Sequence, residues 1–161
     1  MKQIGIILFL TLSIIANAIA QNETDTLPSV FMIGEYEQQY NTMLSVQPDL
    51  LMSVCEGDME KAYNNWLNFL VAMEQFAIEQ KVDINGIKIW INVFWNEDGS
   101  LKHIAFYPKP NSKNMEYEYV KVLFSQFSAQ YTSELQNEKI FCHYGSASFP
   151  SFITTSAKEE K

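Results

Sequence analysis

Residues 86–107 read GIKIWINVFWNEDGSLKHIAFY, and this stretch decides the fold. Ile87, Ile89, Ile91, Val93 and Trp95 recur at two-residue spacing, which sets them on one face of a strand. Asn96, Glu97, Asp98 and Gly99 make a turn, where Gly99 takes the positive φ that a side chain resists. A second strand follows over residues 101–107. Ile104 and Phe106 share a face while Leu101 has the opposite parity, and a bulge near Lys102 reconciles them. Pro108 and Pro110 end the strand, because proline cannot donate to a ladder.

Helical patterns flank this hairpin. Asp58 is placed to cap a helix whose apolar stripe is Ala62, Trp66, Leu70, Met73, Phe76 and Ala77. Asn114 is placed to cap a second helix, with Val120, Leu123, Phe124, Phe127 and Tyr131 on its apolar face. A third strand returns over residues 139–145. The order predicts an α+β domain: a small antiparallel sheet of about three strands, with two helices packed on one face in the order α-β-β-α-β. Residues 30–54 are too apolar for a linker and form an apolar N-terminal extension. Tyr36, Tyr40 and Leu44 suggest a helix there, and residues 50–55 read as a helical turn or a strand.

The N-terminus carries an address. Lys2, an apolar core over residues 4–15 and the small-x-small site ending at Ala20 make a cleavable signal peptide over residues 1–20. The apolar run is shorter than the roughly 20 residues of a spanning helix. The mature chain is expected in the periplasm or outside the cell, with no transmembrane segment. Residues 21–29 read as a tether, 30–153 as one domain with its core at about 58–152, and 154–161 as a polar tail. The tether holds the sequon at Asn22.

The chain has 161 residues, 47% hydrophobic and 14% aromatic, so disorder is excluded for the bulk of it. Net charge is −8 and every cationic side chain is lysine. Without arginine forks, an acidic chain is poorly suited to nucleic acid, anionic lipid or phosphorylated ligands. Two cysteines in an oxidising compartment leave two alternatives open. Cys55 and Cys142 form a disulfide worth about 4 kcal/mol in the chain-entropy model, or they are separate buried thiols.

The run of alternating apolar residues ending in Asp98-Gly99-Ser100, then Ile104-Ala105-Phe106-Tyr107, resembles the C-terminal domain of TonB-like energy transducers. The likeness covers residues 83–152, and the preceding helix by order. It implies a three-stranded sheet whose last strand is an edge that pairs with a short peptide of an envelope partner. Carried onto this chain, the pairing strand is residues 139–148, with Phe141, His143, Tyr144 and Ser146 as partner-binding residues. The transducers' membrane anchor and proline-rich spacer are not expected here, so the resemblance implies a binding module rather than energy transduction.

Catalytic signals are weak. Cys142 and His143 are adjacent, and neighbours on a strand point to opposite faces. His103 and His143 lack companions at metal-ligand spacing. No phosphate loop or nucleophile elbow is present. No cofactor or metal is expected, and no enzyme. The leading expectation is an exported, non-enzymatic module that grips an extended protein segment by strand addition. The alternative is a small-ligand or glycan binder using an aromatic platform of Trp90, Phe94, His103 and Tyr107 on the second hairpin face. That platform competes with another possibility, in which residues 30–54 cover the same face.

Overall fold

The computed structural model describes residues 26–114 and 116–151. The signal peptide, the sequon, most of the tether and the polar tail lie outside the described residues. In chain order the elements are β1 (Val30–Met32), α1 (Glu37–Leu44), β2 (Asp49–Leu50), α2 (Leu51–Val54), α3 (Met59–Glu79), β3 (Lys88–Trp95), β4 (Leu101–Pro108), α4 (Tyr117–Ser128) and β5 (Phe141–Ser148).

The class is α+β, but the expected three-stranded antiparallel sheet is overturned. The sheet has five strands in the order β1-β4-β3-β5-β2 and is mixed. The antiparallel core is β4-β3-β5, with β3 central. The N-terminal extension adds the two flanking strands, β1 parallel to β4 and β2 parallel to β5. It adds α1 and α2 as well, so the described helices number four. Neither β1 nor β2 is long enough to show a two-residue period. Their pairing is made by partners far along the chain rather than by local pattern.

The hairpin reading holds in detail. Phe94 pairs with His103 and Trp95 with Leu101, so Lys102 is the extra residue of a bulge. Gly99 has φ +84, and a Cβ there would stand 2.5 Å from the Ser133 carbonyl oxygen. The turn thus needs glycine for conformation and for room.

Two layers cover the sheet. On one face α3 and α4 bury Ile87, Ile89, Ile91, Val93, Trp95, Ile104, Phe106 and Phe141 in the main core. The link is direct: Phe69 of α3 meets Trp95 edge-on at 5.7 Å, and Phe124 of α4 meets Phe106 at 5.5 Å. Asp58 caps α3 by accepting from the Lys61 N–H at 2.9 Å. The α4 cap is Glu116 rather than Asn114, and α4 has no side-chain cap bond. On the opposite face lies α1. Its Tyr40 packs against Phe31 and Phe94 at 5.7 and 6.0 Å and hydrogen-bonds Asn92 at 2.8 Å. Beyond β5, the Ser151 N–H donates to the buried Glu74 carboxylate of α3 at 2.8 Å.

Candidate functional site

The feature that positions a site is the side of β5 turned away from β3. The Phe149 N–H donates to the Ile87 carbonyl at 2.9 Å. In an antiparallel ladder this sets the parity of the whole strand. The register from Lys88–Ser148 to Trp95–Phe141 is unbroken. Odd-numbered residues of β5 therefore turn their N–H and C=O toward β3, and Cys142, Tyr144, Ser146 and Ser148 turn theirs outward. The Asp49 N–H donates to the Ile140 carbonyl at 3.1 Å, which agrees with that parity.

β2 occupies the first part of this outer side only. It pairs Asp49 with Phe141 and Leu50 with Cys142, and the chain then leaves into α2. Asp49 is pinned by Lys139 at 2.8 Å and by Asn137 at 3.0 Å. Those bonds hold its carboxyl below the usual carboxylate range. From Tyr144 to Ser148, no described strand pairs with the outer side. This open stretch has no charged residue, no proline and no bulge. Protected edges carry such devices against unwanted pairing, and this one lacks them.

The four residues expected to hold a partner are divided by the parity. Tyr144, 45% exposed, and Ser146 lie at the open edge. Phe141 does not: it is fully buried, stacked on Trp95 at 5.2 Å and flanked by β2. His143 does not either. Its backbone faces β3, and its ring lies on Trp66 of α3 at 4.5 Å. Burial holds the His143 imidazole below its ordinary value. Gly145 makes room for that stack, since a Cβ there would be 3.0 Å from His143 Nε2 and 3.3 Å from Trp66 Cζ2.

The aromatic platform is likewise divided. Trp90 and Tyr107 pair across β3 and β4 and are 53% and 50% exposed. They line a shallow cleft of about 540 Å³ with Lys109, Pro110, Asn114 and Tyr117. Phe94 is fully buried beneath Tyr40. His103 is half-buried, its Nδ1–H donating to the Pro28 carbonyl at 2.8 Å. The extension covers this end of the face and leaves the Trp90 end open.

Cys55 and Cys142 are free and buried. The bridge is not made, because Cys55 sits in the helix-side core while Cys142 points to the α1 face. Burial pushes the Cys142 thiol up, which keeps it protonated. Cys142 and His143 are separated by the sheet itself, so they make no nucleophile–base pair. His103 and His143 also lie on opposite faces. Among the described residues no cluster of three or more His, Cys, Asp or Glu could hold a metal ion, and no helix is long and apolar enough to cross a membrane.

Trp66, Lys88 and Lys109 were not among the expected site residues. The run of small residues Gly145, Ser146, Ala147 and Ser148, uncharged on both sides, is the signal that marks the open edge in the sequence. No protein-family model, no curated protein and no solved structure matches the chain.

Proposed function

We propose that this domain is an exported, non-enzymatic module that grips an extended segment of another protein along residues 144–148 of β5. The carrying observation is the edge itself: outward backbone groups at Tyr144, Ser146 and Ser148, on a strand without charge, proline or bulge. Main-chain bonds to such an edge supply affinity, and alternate side chains supply selectivity. The resemblance to TonB-like C-terminal domains supports the same use of the last strand. The N-terminal signal supports action in the periplasm or outside the cell. A photo-crosslinker at Ser148 in the living host tests this. One dominant protein adduct, lost when Ser146→Pro is added to a folded chain, is expected. Adducts indifferent to Ser146→Pro contradict the reading.

A second reading is a small-ligand or glycan site in the Trp90 cleft, favoured by the exposure of Trp90 and Tyr107. Trp90→Ala would then abolish binding in a glycan-array screen without lowering the melting temperature.

A further inference from the structure

The α1 face of the sheet carries a pattern that says what kind of segment fits the edge. Tyr107, Trp90 and Ser146 stand in one row across β4, β3 and β5. A strand added outside β5 continues that row. Ser146 is small, so it leaves a notch bounded by Trp90 on the next strand and by Tyr144 on its own. A guest Cα beside Ser146 lies about 10 Å from that of Trp90, two strand spacings away. A large guest side chain and the exposed indole close that gap over the serine, whereas a small one leaves both wet.

The next row adds charge. Lys88 of β3 is in register with Ser148. Lys109 is bound to Lys88 through its backbone N–H at 2.9 Å, and its Nζ sits 4.2 Å from the Trp90 ring centroid. The ion pairs of the described residues use Lys113, Lys121 and Lys139 and involve neither Lys88 nor Lys109. In a chain of net charge −8, two such cations, one on β3 and one just past β4, form a local positive field at the Ser148 end of this face.

We infer that the edge selects an extended segment bearing an aromatic or large aliphatic side chain beside Ser146 and a carboxylate two residues away, beside Ser148. The inference rests on the strand-addition reading and gives it a partner chemistry. A second copy of this chain is a poor occupant: β5 offers neither a carboxylate nor a large side chain at the matching positions of a two-fold pairing about Ser146, and both copies are acidic.

Titration calorimetry with three synthetic peptides of about ten residues, built on alternating threonine and valine, tests this. One peptide carries tryptophan and aspartate two residues apart. The second replaces the aspartate by lysine, and the third replaces the tryptophan by serine. The first should bind at least about tenfold more tightly than either other, and Lys88→Glu should reverse the preference between aspartate and lysine. Equal affinities that Ser146→Pro abolishes would overturn the side-chain preference and leave strand addition standing. No binding by any peptide would overturn both. Binding of the first peptide that ignores Ser146→Pro would place it in the Trp90 cleft and overturn the inference. A wild-type dimer in sedimentation velocity that Ser146→Pro dissociates would assign the edge to a second copy, with the same consequence.

Discussion

Two adjacent proline substitutions in β5 should have opposite fates. Ala147 is in register with Ile89, and the parity of the strand directs its N–H to the Ile89 carbonyl. Ala147 and Ile89 are both buried. Ala147→Pro removes one ladder bond, about 1 kcal/mol net, and strands a buried carbonyl at about 1–3 kcal/mol more. The expected loss is about 3 kcal/mol, or about 10 °C in melting temperature for a domain of this size. Ser146→Pro removes only an outward N–H. Proline is tolerated on an edge strand with that N–H facing solvent, and the preceding Gly145 is already extended. Its cost should stay below about 1 kcal/mol. Urea denaturation of both variants reads the difference. Equal losses, or a larger loss for Ser146→Pro, would mean that Ser146 bonds inward and that the edge is misassigned.

The other predictions follow from single contacts. Gly145→Ala should cost about 1 kcal/mol by crowding the His143–Trp66 stack, and a double-mutant cycle with His143→Ala should recover most of it; additive effects would refute the contact. Gly99→Ala should destabilise by more than about 2 kcal/mol, since the new Cβ meets two carbonyl oxygens at a positive φ; a melting temperature within a degree or so of wild type would contradict the turn geometry. Burial depresses the folded-state pKa of His143 and of His103 below the ordinary 6.5. The unfolded chain therefore binds protons first, so stability is full above about pH 6.5 and falls as pH drops toward the folded values. His143→Gln should flatten that fall in a pH series of urea midpoints, and an unchanged slope would show that His143 does not carry it.

The legible part of the fold was the part made by local pattern. The isoleucine alternation, the glycine turn, the Lys102 bulge and the Asp58 cap each depend on residues a few positions apart, and each stands where the spacing puts it. β1 and β2 were opaque because three and two residues carry no period, and their partners lie far along the chain. The site inherited that blindness. The strand expected over residues 139–148 runs from Phe141 to Ser148, and which of its residues are open depends on its parity and on where β2 stops. Parity turns Phe141 and His143 inward, β2 covers Cys142, and Ser146 is left open. The apolar character of residues 30–54 did signal a cover for the second hairpin face, but only Tyr40 over Phe94 shows how far that cover reaches. The cap expected at Asn114 is not used: α4 starts after Glu116 without a side-chain cap, and packing of its apolar face holds it.

The most direct test of the open edge is residue-resolved amide hydrogen exchange by NMR, with and without the tryptophan–aspartate peptide. In the free protein the amides of Tyr144, Ser146 and Ser148 should exchange quickly while those of His143, Gly145 and Ala147 are protected, and the peptide should slow the outward three. Outward amides already protected in the free chain, or unchanged in the peptide-bound one, would contradict strand addition at β5.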